Sequence, residues 1–375
     1  MVVVKPILGV VIALAIATSG GGPPAAARTS GSPLAATEAP TTDSASPPTI
    51  AELIGQKLVV RMEGLTPSAD LLGRIQRGEI GGVILLGANI TTATALRGVT
   101  SKLRAAAAAG GRPRLIIAVD QEGGPIKRIP WAPPTISPRQ MGTIGLSSVA
   151  LDQGTRTGTA LRGLGINVDF APVADIPAST ASFMYRQGRT WSFVVGRTTH
   201  LADAFATGLE AGRVAPVMKH FPGLGFATLN TDTSVVRIGA SRTALAPGLL
   251  PYVRAIAHHI PMIMLSNATY SAYDPNHAAG WSPAIVSTLL RRDLGFTGVT
   301  ITDSLDGTAH ARGVTTRSLA LAAVLAGTDM ILTTGSESTS RGEFALLVSE
   351  ARARTIPLAT LEASYHRILA FKAGL

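Results

Sequence analysis

From residue 50 onward, short apolar runs alternate with longer segments in which apolar residues recur at helical spacing. Leu201, Phe205 and Leu209, for example, would line one face of a helix. The apolar runs are continuously rich in Val, Ile and Leu, which is typical of parallel strands buried on both faces. Eight runs are predicted as strands: Lys57–Met62, Gly82–Gly87, Arg114–Asp120, Ile166–Val173, Val214–His220, Ile260–Asn267, Gly298–Asp303 and Thr328–Gly335.

Eight strand–helix units predict an α/β fold, a single-domain (β/α)8 barrel of the TIM type over residues 50–375. A doubly wound open sheet is the alternative, but no glycine-rich phosphate loop follows the first predicted strand. Ser282 before Pro283 is typical of a helix start, and this helix is predicted to run through Leu290 and end near Gly295.

The first 49 residues differ from the rest of the chain. In residues 1–27, Lys5 precedes an apolar run and small residues follow, which predicts a secretory signal peptide cleaved near Ala27. The run is short for a membrane span, and a retained N-terminal anchor is the alternative. Residues 28–49 are rich in Ala, Ser, Thr and Pro, so we expect a flexible linker. Together these segments predict a secreted protein of the cell envelope.

Composition and charge exclude several classes of protein. The chain has no cysteine, so it has no disulfide, no thiolate metal site and no thiol for lipid attachment. The net charge is +10, but the basic residues are scattered and are not interleaved with aromatics, so nucleic acid is not expected as a partner. A basic exported protein is expected to meet an anionic wall or membrane surface, with membrane attachment only through an uncleaved signal anchor. We expect a monomer.

Metal and serine-hydrolase chemistry have little support in the sequence. No HExxH pair or His–carboxylate cluster is present, and no Gly-x-Ser-x-Gly stretch follows a strand. No metal or cofactor is therefore expected. The candidate chemistry lies instead at the strand ends, which converge on one face of a (β/α)8 barrel. The polar residues there are Asp120, Asp175, Lys219, His220, Asn267 and Asp303.

Two of these strand ends carry residues suited to gripping a sugar. Asp120 ends one strand, and the glycines after it would let Arg128 fold back, so that one side chain accepts and the other donates hydrogen bonds to neighbouring hydroxyls. An ordinary salt bridge is the alternative. Lys219 and His220 are adjacent, so one of them must leave the regular pleat for both to face a ligand. The alternative is a structural role, in which Lys219 stabilises a nearby carboxylate and His220 is a core histidine.

A third strand ends on Asp303, between the hydroxyls of Thr302 and Ser304. A carboxylate there can attack a carbon centre or stabilise positive charge, and a helix cap is the structural alternative. Asp306 is a weaker candidate, because the Leu-Asp-Gly sequence around it predicts a turn. A helix N-cap is the structural alternative for Asp306 as well.

Five segments together resemble glycoside hydrolase family 3, especially its single-domain bacterial β-N-acetylglucosaminidases. They are GGVILLGANI from Gly81, DQEGG from Asp120, NVDFAPVAD from Asn167, KHFPG from Lys219 and LGFTGVTITDSL from Leu294, in the family's order. The resemblance extends from about residue 50 to the end of the chain, and it implies a (β/α)8 barrel, in agreement with the strand count.

The resemblance also implies roles for individual residues. Asp303 matches the nucleophile that forms a covalent glycosyl-enzyme intermediate. Arg189, in GRTWSF, matches an arginine of the sugar-binding site, with Arg186 as the less favoured choice, and Asp175 matches a supporting acidic position. The other positions that match sugar-binding residues are Asp120, Arg128, Lys219 and His220.

The loop after the fifth strand departs from the family pattern. The acetylglucosaminidases have an Asp-x-His pair there, in which the histidine protonates the leaving oxygen. This chain has Asp232 and Ser234 at those positions and Leu224 in place of an earlier histidine. A serine hydroxyl has no useful acidity near neutral pH. Asp232 is therefore a candidate acid; an acid from a neighbouring loop or subunit, or a protein that binds glycans without efficient cleavage, are the alternatives.

The leading hypothesis is an exported retaining glycoside hydrolase. It would act on β-linked sugars, with N-acetylglucosamine of cell-wall fragments favoured and β-glucosides second. Asp303 and Asp232 are the predicted catalytic residues. The competing hypothesis is a catalytically impaired barrel that binds cell-wall glycans.

Overall fold

The eight apolar runs form eight parallel strands of one sheet in the computed structural model, which describes residues 47–375. The sheet has the order β7-β6-β5-β4-β3-β2-β1-β8, and a parallel bridge between Ile301 and Met330 joins its two edges. This arrangement confirms the predicted single-domain (β/α)8 barrel. The strands are β1 (Leu58–Arg61), β2 (Gly82–Ile84), β3 (Ile116–Val119), β4 (Val168–Asp169), β5 (Ala215–Phe221), β6 (Met262–Leu265), β7 (Val299–Thr302) and β8 (Ile331–Thr333).

Each barrel strand packs on both of its faces, which explains its unbroken hydrophobicity. In β1, Val59 belongs to an inner cluster with residues such as Ile84, whereas Leu58 and Val60 belong to a cluster between the sheet and the helices. Neighbouring strands place their inner residues in register, as with Val59 opposite Gly82. The interior of the barrel is therefore a packed core, and ligands have access only at its ends.

Helices surround the barrel and connect its strands. Their bounds are α1 (Ile50–Gly55), α2 (Ala69–Arg77), α3 (Ala93–Ala109), α4 (Pro138–Ile144), α5 (Ser147–Gly163), α6 (Phe183–Arg186), α7 (Val195–Ala211), α8 (Arg242–Ala257), α9 (Leu305–Arg312), α10 (Thr316–Leu325), α11 (Glu337–Arg352) and α12 (Leu358–Ala373). A π-helix covers Ala284–Asp293 where the sequence predicted a helix, and Ser282 Oγ accepts a hydrogen bond from Ile285 N at 3.1 Å at its start.

The N-terminal predictions fall largely outside the described residues. The predicted signal peptide (1–27) lies wholly outside them, as does the predicted linker up to residue 46. Helix α1 begins at Ile50, and Thr49 caps it by accepting a hydrogen bond from Glu52 N at 3.3 Å. Within residues 47–375, every helix is too short or too polar to cross a membrane.

Candidate active site

A cavity of about 390 Å³ opens at the carboxyl ends of the barrel strands. The loops after β3, β5 and β7 contribute to its lining, as the (β/α)8 architecture requires. All seven residues predicted for the site line this cavity: Asp120, Arg128, Arg189, Lys219, His220, Asp232 and Asp303. Arg186 lies elsewhere, with its guanidinium bound to Thr228 O at 2.7 Å.

Asp120 is held between two cations. Lys219 Nζ donates to Asp120 Oδ1 at 2.8 Å, and the Arg128 guanidinium lies 3.5 Å from Asp120 Oδ2. Arg128 reaches this position because the chain after β3 folds into a hairpin of Gln121–Gly123 with Ile126–Lys127. The side chain of Gln121 closes the following loop through hydrogen bonds to Ile129 N and O, both at 3.0 Å.

Glu122 is a site residue that the sequence reasoning missed. Its carboxylate accepts two hydrogen bonds from the Arg189 guanidinium, at 2.7 and 2.8 Å. Lys219 Nζ lies 2.7 Å from the same carboxylate, so this lysine joins Asp120 and Glu122. The only sequence signal was a second acidic residue two positions after Asp120. Its partner Arg189 is 67 positions away, and only the folded chain brings the two together.

The four central charges of this cluster stabilise one another in a buried environment. Burial alone raises the pKa of Glu122, but Arg189 and Lys219 outweigh burial and lower it to about 2. The pKa of Asp120 is also lowered, because Lys219 and Arg128 outweigh its burial. Burial acts to lower the pKa of Lys219, and the two carboxylates reverse this effect and raise it. The cluster is therefore charged at neutral pH and presents fixed donors and acceptors to a polar ligand.

A neutral carboxyl group lies behind this charged cluster. Asp169, at the end of β4, is fully buried, and its Oδ1 accepts a hydrogen bond from Gln121 N at 2.9 Å. Burial is the main cause that raises the pKa of Asp169 to about 8. The backbone position of Gln121, and with it the start of the hairpin, is thus fixed by a protonated acid.

His220 connects a buried carboxylate to Asp303. Its Nδ1 lies 2.7 Å from Asp175 Oδ2, and its Nε2 lies 4.0 Å from Asp303 Oδ2. The β5–β6 pairing shifts register between Met218 and Phe221, and the Lys219–His220 peptide bond within this stretch is cis. The side chains of Lys219 and His220 both line the cavity, although the two residues are adjacent in the chain.

Asp175 has a positioning role that extends beyond the imidazole of His220. Its Oδ1 accepts hydrogen bonds from Leu224 N at 2.7 Å and from His220 N at 3.3 Å. One buried carboxylate therefore orients both the histidine ring and the first turn of the following loop. Leu224 is buried, and its side chain lines the cavity.

Asp303 follows β7 and is partly exposed in the cavity. Ser304 N donates to Asp303 Oδ1 at 2.8 Å, which leaves Oδ2 facing His220 and the cavity. The prediction of a turn at Asp306 was wrong, because this residue lies in the first turn of α9. Its carboxylate accepts a hydrogen bond from Thr334 N at 2.6 Å and so connects α9 to the loop after β8.

Asp232 is exposed at the rim of the cavity, on the loop after β5. This loop is fixed to α9, since Thr308 Oγ1 donates to Thr231 O at 3.1 Å. Gly307 allows the close approach: a Cβ atom there would lie 2.6 Å from Asp232 O. Partial desolvation and the neighbouring charge of Asp303 raise the pKa of Asp232 to about 6. About half of the Asp232 carboxyl groups are thus protonated near pH 6, and the protonated fraction falls as the pH rises to neutrality.

Asn267 supports the site from outside the cavity. Asn267, expected at the strand ends, lies outside the cavity lining, and its Nδ2 donates to Ser304 O at 2.6 Å and Thr308 Oγ1 at 2.9 Å. It therefore supports the segment that carries Asp303. Within the part of the chain that the structure describes, no three His, Cys, Asp or Glu side chains are arranged to hold a metal ion.

Comparison with known proteins places the chain in a family. Residues 49–371 match the glycosyl hydrolase family 3 N terminal domain. An uncharacterized secreted glycosyl hydrolase of Arthroderma benhamiae is 32% identical over 332 residues, 86% of this chain and 92% of the relative. A beta-hexosaminidase of Shewanella frigidimarina is 32% identical over 287 residues, 73% of this chain and 81% of the relative.

A solved structure agrees with these relatives. The beta-N-acetylhexosaminidase of Beutenbergia cavernae has a TM-score of 0.81 at 30% identity, covering 88% of this chain and 100% of that chain. The family match spans nearly all of the described barrel, including every residue that lines the cavity. The chain therefore belongs to glycosyl hydrolase family 3 and is a glycosidase.

Proposed function

We propose that the protein is an exported, retaining glycoside hydrolase that releases β-linked N-acetylglucosamine from cell-wall fragments, with β-glucosides as second substrates. One observation carries the proposal: Asp232 and Asp303 line the same cavity, and the charge of Asp303 helps to raise the pKa of Asp232 to about 6. Retaining glycosidases need one ionised carboxylate and one protonated carboxyl group flanking the scissile bond.

The proposed reaction has two steps. Asp303 Oδ2 attacks the anomeric carbon and forms the glycosyl-enzyme bond, while Asp232 gives its proton to the departing oxygen. The resulting Asp232 carboxylate then takes a proton from water, whose oxygen displaces Asp303 and releases the sugar. The side chains proposed to hold the sugar hydroxyls are Asp120, Arg128, Arg189, Lys219 and His220.

Asp232 is proposed to act alone where the acetylglucosaminidases use an Asp-x-His pair. Ser234 lies outside the cavity lining and cannot supply a proton near neutral pH. A carboxyl group with a pKa of about 6 has the property that glycosidase acids require. Gly307 and Thr308 support this assignment, because they hold the Asp232 segment against α9.

The proposal that the protein is exported rests on its first 49 residues and on the name of one relative. Lys5, the apolar run after it and the small residues up to Ala27 are arranged as in a secretory signal. The relative from Arthroderma benhamiae carries the word secreted in its name. Comparing the mass of the protein recovered outside the cell with that of the full chain tests both export and cleavage near Ala27. Recovery of the full-length chain in the cytoplasm contradicts the proposal.

Release of nitrophenol from aryl β-glycosides tests the proposed activity. We expect turnover of the N-acetylglucosaminide faster than of the glucoside, and a β-anomer as the first product by proton NMR. Asp303→Asn removes the nucleophile and is expected to abolish turnover of both substrates. Equal rates for Asp303→Asn and the unaltered protein refute the nucleophile assignment, and an α-anomer as first product refutes retention.

The second candidate function is glycan binding without efficient cleavage, and it is favoured by Leu224 and Ser234 at positions where the resemblance implies histidines. A dinitrophenyl glycoside discriminates the two functions, because its leaving group needs little protonation. Saturable binding of wall-derived sugars with no release of dinitrophenol supports the binding protein. Rapid release of dinitrophenol supports the hydrolase.

A further inference from the structure

The opposite end of the barrel carries a basic cleft. Two adjoining cavities of about 640 and 400 Å³ lie at the amino ends of the central strands, and Arg114 and Arg162 line both of them. Arg213 completes the first cavity, whereas Arg104 and Arg112 complete the second. These five arginines define the basic cleft, and none of them lines the cavity that holds Asp303.

Close packing of two helices brings the central arginines together. The backbones of α5 and α7 touch through glycines: a Cβ atom on Gly158 would lie 2.6 Å from Leu209 O, and one on Gly208 would lie 2.4 Å from Leu151 O. The two helices therefore end side by side. Arg162 lies in the last turn of α5, and Arg213 follows the last turn of α7.

The positive charge of the cleft is only partly neutralised within the described residues. Among the five arginines, an ion pair within the described residues is formed by Arg112 and by none of the others. Arg104 donates to a backbone carbonyl, Gly165 O, at 3.1 Å, and Arg114 donates to the backbone oxygen of Leu375. Arg112 is paired with Glu52. Glu210 is the acidic side chain among the lining residues of the cleft, and burial and the nearby Asp203 raise its pKa.

A simpler explanation for arginines at the ends of α5 and α7 is that their positive charge interacts favourably with the helix C-termini. Helix α11 provides an internal comparison. It has Arg352 in its last turn and Arg354 just beyond, with φ 63°, matching Arg162 and Arg213 (φ 64°). The α11 pair lines neither cavity of the basic cleft. A helix-end role therefore does not account for the convergence of arginines around two cavities.

We propose that the basic cleft is a binding site for an oligomer that carries several phosphate groups, separate from the active site. A guanidinium donates two parallel hydrogen bonds to phosphate oxygens, and a tetrahedral phosphate can accept from more than one arginine. Two adjoining cavities with shared arginines suit neighbouring phosphates of one chain better than a single anion. The concave shape fits a flexible oligomer rather than a flat lipid surface.

Titration calorimetry with tripolyphosphate tests the site on the full-length protein. We expect binding at low ionic strength that weakens with added salt, because the contacts are electrostatic. The double variant Arg162→Gln/Arg213→Gln is expected to bind at least about ten-fold more weakly, a loss of roughly 1.4 kcal/mol. The matched control Arg352→Gln/Arg354→Gln removes the same charge from an equivalent helix end and is expected to bind like the unaltered protein.

The proposal would be overturned if tripolyphosphate did not bind, or if the cleft and control variants lost affinity for it equally. It would also be overturned if the protein bound anionic phosphatidylglycerol vesicles more tightly than tripolyphosphate. Inorganic phosphate is expected to bind more weakly than tripolyphosphate. If the glutamine variant does not fold, Arg162→Lys/Arg213→Lys keeps the charge and is expected to show an intermediate affinity. Aryl-glycosidase activity is expected to be unchanged in the cleft variants.

Discussion

Glu122→Gln tests whether the charged cluster under the sugar site stabilises the fold. Glu122 is 2% exposed, and its carboxylate accepts hydrogen bonds from Arg189 and contacts Lys219. Glutamine has nearly the same shape, so the substitution removes charge while creating little empty volume. It leaves the Arg189 guanidinium without its bidentate partner in a buried position.

The magnitude of the loss follows from the pKa of Glu122, which is lowered from 4.5 to about 2. At 1.36 kcal/mol per pKa unit, this corresponds to roughly 3 kcal/mol of stability at neutral pH. Removing one partner of a buried ion pair costs a similar amount, roughly 3–5 kcal/mol. Because the folded-state pKa is the lower one, the contribution is complete above pH 4.5 and is lost as the pH falls towards 2.

Urea unfolding of both proteins between pH 7 and pH 2.5 measures this contribution. We expect Glu122→Gln to have a free energy of unfolding about 3 kcal/mol lower at pH 7, with the difference shrinking below pH 4.5. Glu63→Gln is the matched control, because Glu63 pairs with Arg61 at the surface and should change stability by less than about 1 kcal/mol. A difference that is absent at pH 7, or constant down to pH 2.5, would show that the ionised Glu122 carboxylate does not stabilise the fold.

Three further predictions concern the proposed catalysis. Asp232→Asn should lower kcat/KM roughly 10²–10⁴-fold for substrates with poor leaving groups and should remove the fall in rate as the pH rises above about 6; an unchanged pH–rate profile contradicts this. Gly307→Ala should displace the Asp232 loop and lower kcat roughly ten- to a hundred-fold, whereas Gly196→Ala, with open space around it, should leave kcat unchanged; equal kcat in both variants contradicts this. Asp175→Asn should raise KM and reduce the free energy of unfolding by about 1–3 kcal/mol, because His220 loses a buried partner; an unchanged KM contradicts this.

The barrel could be predicted because each of its strands has a recognisable hydrophobic pattern in the sequence. Val59 packs inside the barrel and Val60 outside it, so a strand buried on both faces has no polar positions to break the run. Asp120, Lys219 and Asp303 could be named for the same reason: a polar residue that ends such a run must lie at the open end of the barrel. Both inferences need only local sequence and the geometry of parallel strands.

The other features of the site could not be predicted, because they depend on contacts between segments that are distant in the sequence. Glu122 lies beyond the end of β3, in a hairpin, and its partner Arg189 is 67 positions away, so no local pattern marks the pair. Gly307 was interpreted as part of a turn, but it lies inside α9, where its missing side chain makes room for Asp232. A glycine that permits a close tertiary approach has the same appearance in a sequence as one that permits a turn.

In the proposed mechanism, Asp303 forms a covalent bond to the sugar, and this intermediate can be trapped with a slowly hydrolysed substrate analogue. The protein is incubated with a 5-fluoro N-acetylglucosaminyl fluoride, digested, and analysed by mass spectrometry. We expect one sugar per chain, attached to the peptide that contains Asp303, and no adduct in Asp303→Asn. An adduct on another residue, or turnover of the aryl glycoside without any trapped intermediate, would contradict it.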